Sequence, residues 1–243
     1  MPTEKPTVVL VHGAFAESAS WHAVVQRLHA HSVEALAAAN PLRSVSGDAA
    51  YLRDVVAGVG GPVVLVGHSY GGLVITEAAA DDDAVLALVY VSAFCPEPGE
   101  SALQLSTRFP GSTLGETLVA RPLASGGNEL SIAQDAFPSQ FAADVPLETA
   151  VLMAATQRPV TERALGEGLP SPAAAWRGRP SWFVYGDADR NIPAALQRSM
   201  AERAGARGVR EVPGASHALS VSQPDEVAAV VLAAVDAVTS VAA

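Results

Sequence analysis

Cysteine and lysine are nearly absent from this chain. Cys95 is the only cysteine among 243 residues, so no internal disulfide can form. A reducing compartment is therefore compatible with the composition. Lys5 is the only lysine, and the formal net charge is −10. An acid excess of this size disfavours nucleic acids and anionic membrane surfaces as partners.

Long hydrophobic runs are also missing. The longest late apolar run, Val227–Val235, stops at Asp236 after nine residues and is too short to span a bilayer. The chain does not open with a basic segment followed by a long apolar one, as a secretory leader would. We therefore expect a cytoplasmic protein that does not bind membranes. The sequence leaves open whether the chain forms a homodimer.

Short apolar runs alternate with amphipathic segments along most of the chain. Strands are predicted near residues 7–11, 33–37, 62–67, 85–91, 181–185 and 208–212. Helices are predicted near residues 20–30, 48–58, 70–80, 194–204 and 223–238. Strands that are apolar throughout indicate a parallel sheet covered by helices on both faces. The sequence therefore predicts an α/β fold with a mostly parallel sheet of about six strands.

Residues 96–180 interrupt this alternation. The stretch is rich in Pro, Gly and Ser, and its apolar residues are scattered at helical spacing. It leaves the core after one predicted strand and returns at the next. We therefore expect a core formed by residues 1–95 and 181–243, with residues 96–180 inserted as a helical lid.

The pentapeptide Gly67-His68-Ser69-Tyr70-Gly71 has the form G-x-S-x-G. It follows a predicted strand and precedes a predicted helix, which is the context of a nucleophile elbow. In such a turn the serine is held in a strained conformation at the carboxyl end of the strand. Small flanking residues let the strand and the helix approach each other. This context favours a nucleophilic Ser69 over an ordinary glycine-rich loop.

Two further polar side chains follow later strands. Asp189 comes after the strand near 181–185, and His217 comes after the strand near 208–212. The chain order serine, aspartate, histidine is that of an α/β-hydrolase triad. A serine hydroxyl needs an imidazole to accept its proton, and the imidazole needs a carboxylate to fix its tautomer. We therefore predict Ser69, Asp189 and His217 as the catalytic residues.

Other acids compete for the role of Asp189. The pattern Gly186-x-x-Asp189-x-x-x-Pro193 resembles the acid loop of many α/β-hydrolases and favours Asp189. Asp187 is the alternative acid, although it also suits the capping of a turn. Glu97 and Glu100, which follow the preceding strand, are the third choice.

Other histidines compete for the role of His217. His12 precedes Gly13 and is expected to shape its loop by hydrogen bonding, whereas His68 is expected to point elsewhere than the site. The pair His29 and His31 lacks a third ligand nearby, which disfavours a metal site.

The loop after the first predicted strand reads His12-Gly13-Ala14-Phe15. The oxyanion that forms during acyl transfer requires two backbone N–H donors. In a nucleophile elbow one donor follows the serine and the other comes from this loop. Gly13 permits the backbone to turn inward, so Ala14 and Tyr70 are the predicted donors.

Five segments together resemble small bacterial α/β-hydrolases of the esterase type, related to the plant methylesterase and hydroxynitrile lyase group. They are residues 12–15 with Trp21, residues 67–72, residues 90–96 with 99–101, residues 186–193 and residues 216–218. The resemblance covers essentially the whole chain. It implies an α/β-hydrolase fold with an oxyanion hole formed by Ala14 and Tyr70.

Aromatic residues are few, and four of them are predicted to contact substrate: Phe15, Phe94, Phe137 and Trp176. The two that fall in the predicted lid, Phe137 and Trp176, also suit packing within the lid itself. Together with other apolar lid residues they indicate an apolar pocket. We therefore expect a serine hydrolase that cleaves a small, largely apolar carboxylic ester through an acyl-enzyme, with no cofactor.

The same triad would also serve a lactonase, a thioesterase, an amidase or a cofactor-free perhydrolase or haloperoxidase. A hydroxynitrile lyase would need a cation near the nascent cyanide, and Lys5 precedes the first strand; an arginine could take its place. A non-catalytic binding protein or receptor is a further alternative, although a pure binder needs no general base. Covalent labelling of Ser69 would distinguish an enzyme from a binder.

Overall fold

Strands and helices alternate along most of residues 5–241, the part of the chain that this computed structural model describes. The strands are β1 Thr7–Val11, β2 Ala35–Ala38, β3 Val63–His68, β4 Val85–Val91, β5 Leu118–Pro122, β6 Asn128–Ile132, β7 Val160–Thr161, β8 Ser181–Gly186 and β9 Gly208–Val212. The helices are α1 His22–Ala30, α2 Val45–Val59, α3 Gly71–Ala78, α4 Ala102–Ser106, α5 Phe137–Phe141, α6 Leu147–Thr156, α7 Glu162–Gly166, α8 Ala194–Arg203, α9 Leu219–Ser222 and α10 Pro224–Val241. Across residues 5–241, no helix combines the length and the hydropathy that crossing a membrane requires.

Six strands form one sheet in the order β2-β1-β3-β4-β8-β9. Every neighbouring pair in this sheet is parallel. The two central strands, β3 and β4, are buried along almost their whole length. Burial of both faces explains why these strands are continuous apolar runs rather than alternating ones. The arrangement confirms the predicted α/β fold with a six-stranded parallel sheet.

Helices cover both faces of the sheet, and each face has its own apolar cluster. Val9 and Leu65 belong to the cluster that includes residues of α2 and α3. Val8 and Val64, their neighbours in sequence, belong to the cluster that includes residues of α1 and α10. Successive side chains of a strand point to opposite faces, so one apolar run contributes to both clusters.

Residues 96–180 connect β4 to β8, which are neighbours in the sheet. The connection contains α4 to α7 together with a separate antiparallel sheet of β5, β6 and β7. Helices were expected in this segment, and its three strands were not predicted. β7 is only two residues long and is too short to show a periodic pattern. β5 and β6 have five residues each, but their charged and polar residues interrupt the apolar runs by which the core strands were predicted.

The predicted site residues lie at one edge of the parallel sheet. Ser69 follows β3, Asp189 follows β8 and His217 follows β9. The carboxyl ends of parallel strands lie at the same edge, so residues distant in sequence meet there. Lys5 precedes β1 and therefore lies towards the opposite edge.

Candidate active site

Ser69 occupies a strained turn between β3 and α3. Its φ angle is 54°, in the left-handed region that non-glycine residues rarely adopt. At the neighbouring glycines Gly67 and Gly72, other backbone atoms lie too close for a side chain to fit. A Cβ added to Gly67 would lie 2.6 Å from the carbonyl oxygen of Gly71, and one added to Gly72 would lie 2.0 Å from that of Phe94. This close approach of strand and helix forces the turn that places Ser69 at the edge of the sheet.

His217 and Asp189 form a buried pair. Nδ1–H of His217 donates to Oδ2 of Asp189 over 2.7 Å. The other carboxylate oxygen, Oδ1, accepts the backbone N–H groups of Asn191 and Ile192 at 2.8 and 2.9 Å. These bonds fix the orientation of the carboxylate. Because Nδ1 carries the donated proton, Nε2 of His217 is the nitrogen left to act as a base.

The other candidate carboxylates have different partners. Oδ1 of Asp187 accepts the backbone N–H of Gly214 at 2.6 Å and thereby supports the turn before His217. Glu97 forms an ion pair with Arg177. Among the carboxylates considered from the sequence, the structure therefore brings Asp189 to His217, and it places Asp187 in the turn-capping position that was its alternative interpretation.

His217 lies beside the turn that carries Ser69. Nε2–H of His68, the residue before Ser69, donates to the backbone carbonyl of His217 over 3.0 Å. The two imidazole centroids are 4.7 Å apart. Within residues 5–241 no hydrogen bond joins Oγ of Ser69 to Nε2 of His217. Hydrogen bonds between catalytic groups often tighten only once substrate is bound, so this arrangement is compatible with proton transfer from Ser69 to His217.

The inserted segment holds the loop that carries His217. The backbone N–H of Ala218 donates to the carbonyl of Phe141 over 3.0 Å, and Oγ of Ser216 donates to the carboxylate of Asp144. The ring of Phe141 meets the imidazole of His217 edge to face, with centroids 4.9 Å apart. The position of the imidazole therefore depends on α5 and the residues after it as well as on the sheet.

Two backbone N–H groups beside Ser69 are available for an oxyanion. Within the described residues, neither the N–H of Ala14 nor that of Tyr70 donates a hydrogen bond. Both residues line the same cavity as Ser69. Gly13 lets the first loop approach the serine, because an added Cβ would lie only 2.5 Å from Cβ of Ser69. Free donors at this position are what an oxyanion hole requires.

Two buried histidines next to the site are held neutral. Nδ1–H of His12 donates to the carbonyl of Gly13 over 2.9 Å, and burial lowers the pKa of His12 to about 4. Burial, reinforced by nearby His217, holds the pKa of His68 well below its usual value. His12 thus shapes the first loop as expected. His68 was expected to point away from the site, whereas its ring contacts His217. No pattern in the sequence indicates that contact.

A cavity of about 120 Å³ lies beside Ser69. Phe15 and Phe94 of the core line it. It is also lined by apolar residues that sequence reasoning did not single out, namely Ala102, Leu103, Leu114, Leu118 and Leu165. All five belong to residues 96–180. The lining suits a small apolar group held next to the serine.

Phe137 and Trp176, which were predicted to contact substrate, do not line this cavity; both are packed, which is the alternative that the sequence also offered. Phe137 is fully buried and stacks on Phe141 with centroids 4.8 Å apart. Nε1–H of Trp176 donates to the carbonyl of Pro96 over 2.8 Å. Large aromatic side chains contribute strongly to packing, and here both are used inside the inserted segment and at its junction with the core.

Within the described residues, no group of three or more His, Cys, Asp or Glu side chains is arranged to hold a metal ion. His29 and His31 are exposed at the end of α1. Nδ1–H of His31 donates to the backbone carbonyl of Arg27.

Two characterised relatives match almost the whole chain. It is 29% identical over 245 residues to the α/β-hydrolase nvfD of Aspergillus novofumigatus, an alignment that covers 91% of this chain and 93% of the relative. It is 28% identical over 250 residues to esterase PIR7B of Oryza sativa subsp. japonica, with 92% and 93% covered.

The fold is shared with solved structures. The crystal structure of polyneuridine aldehyde esterase superposes with a TM-score of 0.81 at 19% identity, covering 95% of this chain and 99% of that chain. At this identity the likeness concerns the fold alone. The family profile described as "Alpha/beta hydrolase family" matches residues 8–230. Because this match spans most of the sequence and agrees with the observed fold, the chain belongs to the α/β-hydrolase family.

Proposed function

We propose that this protein is a serine carboxylesterase that cleaves small, largely apolar esters through an acyl-enzyme. The observation that carries the proposal is the buried Asp189–His217 pair beside Ser69, which has a positive φ angle. Family membership and a relative named as an esterase support ester hydrolysis in general. The apolar cavity beside Ser69 supports the choice of an apolar substrate.

In the proposed reaction, Nε2 of His217 takes the proton of Ser69 as Oγ attacks the ester carbonyl carbon. The N–H groups of Ala14 and Tyr70 stabilise the oxyanion of the tetrahedral intermediate. His217 then gives its proton to the departing alkoxide, which leaves an acyl group on Ser69. A water molecule, deprotonated by the same imidazole, releases the acid and restores the serine.

Residues 96–180 act in this proposal as a lid. Leu103, Leu114 and Leu165 of this segment line the cavity beside Ser69, and Phe141 contacts the imidazole of His217. Apolar side chains that cover the site exclude water, and the exclusion strengthens the electrostatic interactions inside it. The segment is thus proposed to bind the apolar part of the ester and to protect the reacting atoms.

Covalent labelling tests the proposal directly. A fluorophosphonate probe is expected to label the folded protein at Ser69, as mapped by mass spectrometry of the labelled peptide. Ser69→Ala should lose the label and the turnover of p-nitrophenyl acetate, while its melting temperature stays within about 2 °C of the parent value. Absence of label on folded protein would favour a non-catalytic binding protein. Undiminished turnover by Ser69→Ala would identify another nucleophile.

A further inference from the structure

A second and larger cavity shares Phe15 with the cavity beside Ser69. The cavity beside Ser69 measures about 120 Å³ and the second about 390 Å³, and Phe15 lines both. Phe15 has a φ angle of 62°, which is costly for a bulky residue. Its N–H donates to the carbonyl of Arg158 over 3.1 Å. The strained backbone and this hydrogen bond fix the position of Phe15 where it lines both spaces.

The larger cavity lies between the first loop and α6 of the inserted segment. Ala19, Leu152 and Met153 supply apolar surface, and Val221 of α9 lines it next to the loop that carries His217. Glu17 is the one charged residue in the described lining. The cavity therefore suits a neutral, apolar group and disfavours an anionic one.

The two cavities differ in their position relative to the base. The described lining of the smaller cavity includes Ser69 and both oxyanion donors but no residue of the segment 215–222. The larger cavity borders that segment through Val221, four residues after His217. The imidazole must protonate the oxygen of the leaving alcohol. The alcohol half of the ester therefore has to extend towards the side of His217, and the acyl half towards the smaller cavity.

We propose that the larger cavity binds the alcohol half of the substrate and the smaller cavity the acyl half, with Phe15 between them. This inference rests on the proposed esterase function. An apolar cavity of about 150 Å³ accommodates benzene, so the smaller cavity, at about 120 Å³, suits a short acyl group. The larger cavity falls in the range of pockets for whole small molecules, about 300–1,000 Å³. The substrate class is esters of short acids with bulky apolar alcohols.

Two isomeric esters test this assignment because they differ only in the direction of the ester group. In 2-(2-naphthyl)ethyl acetate the bulky group is the alcohol, and in methyl 3-(2-naphthyl)propanoate it is the acid. Both leaving groups are unactivated alkoxides, methoxide and a primary alkoxide, so their intrinsic reactivities are similar. We expect kcat/KM to be at least tenfold higher for the acetate. A ratio of one or below, from an enzyme that Ser69 labelling shows to be a serine hydrolase, overturns this inference and leaves the proposed function standing. Absence of turnover of both esters by a protein that hydrolyses p-nitrophenyl acetate overturns this inference alone, whereas absence of turnover of all three esters overturns the proposed function as well.

Two variants, Met153→Trp and Phe15→Ala, test whether the preference for the acetate arises from these cavities. Met153→Trp fills the larger cavity and should lower the preference for the acetate towards one. Leu147→Trp is the matched control, because Leu147 lies on the same helix, is 68% exposed and does not line the cavity; it should keep the parent ratio. Phe15→Ala joins the two cavities and should raise the turnover of the methyl ester relative to the acetate. An unchanged ratio in both Met153→Trp and Phe15→Ala would place the bulky group elsewhere and refute the assignment.

Discussion

His68 connects the turn that carries Ser69 to the loop that carries His217, since its Nε2–H donates to the backbone carbonyl of His217 over 3.0 Å. The residue before Ser69 thus sets the position of the loop that carries the imidazole. His68 is buried, and burial holds its pKa well below the usual value. A neutral ring can keep this hydrogen bond without placing a second positive charge next to the imidazolium that His217 becomes in the proposed reaction.

Replacement of His68 is expected to lower kcat without changing KM, because His68 positions the loop of His217 and does not bind substrate. His68→Phe removes the donor and leaves a buried carbonyl without a partner, a loss on the order of 1–3 kcal/mol. We expect kcat for p-nitrophenyl acetate to fall roughly 10- to 100-fold, with KM changed little. His68→Gln retains an N–H donor and should recover part of kcat. A rise in KM with unchanged kcat would contradict a role through this hydrogen bond. An equal fall in kcat for His68→Phe and His68→Gln would contradict it as well.

Asp189→Asn tests the assignment of the acid. The amide presents no negative charge to Nδ1 of His217 and favours the wrong tautomer, so kcat should fall by on the order of 10⁴-fold. Asp187→Asn is the matched control, because Asp187 is exposed and accepts the N–H of Gly214 rather than that of the imidazole. Steady-state kinetics on one ester measure both variants. A larger loss for Asp187→Asn would reverse the assignment.

Gly13→Ala tests the close contact between the first loop and the serine. The added Cβ would lie 2.5 Å from Cβ of Ser69 and 2.7 Å from the carbonyl oxygen of His68. These atoms belong to a tight turn, so the loop and its proposed oxyanion donor, the N–H of Ala14, must shift. Loss of one such donor costs about 100-fold or more in kcat. Gly58→Ala, which has no heavy atom within 4 Å of the new Cβ, is the control and should retain kcat. Unimpaired kcat in Gly13→Ala would show that the loop does not need this contact.

The pH dependence of stability should reflect His12. Its pKa is about 4 in the folded protein because of burial, against 6.5 for the free side chain. Between these values the unfolded chain binds a proton that the folded protein does not, so the free energy of unfolding falls as pH drops from about 6.5 to about 4. At 1.36 kcal/mol per pKa unit, the loss from His12 is roughly 3 kcal/mol.

Urea unfolding at pH 7.5, 6 and 5 measures the slope of the free energy of unfolding against pH. His12→Gln should flatten it, while the lowered pKa of His68 leaves a residual slope of the same sign. His22→Gln is the control, because His22 is exposed on α1, and its slope should match the parent protein. If the slope of His12→Gln equals that of the parent protein, His12 is not the titrating group.

Much of the fold could be predicted because its signals are local. The apolar run before Ser69 forms β3, and the stretch after it forms α3, each within about two residues of the predicted bounds. The G-x-S-x-G pattern indicated a strained serine, and φ of Ser69 is positive. These features depend on neighbouring residues, so the sequence carries them directly. The strands of the inserted segment were missed because β7 has only two residues and because β5 and β6 contain charged or polar residues instead of forming continuous apolar runs.

The sequence by itself determined the order of the core elements, the elbow and the two loops that approach it. Only the tertiary structure decided that Asp189 rather than Asp187 meets His217, that Phe137 and Trp176 do not line the cavity beside Ser69, and that Phe15 lines two cavities. The physical reason is that strand runs and turn motifs follow from local preferences. The partner of a buried carboxylate or aromatic ring depends instead on how segments far apart in the chain pack against each other.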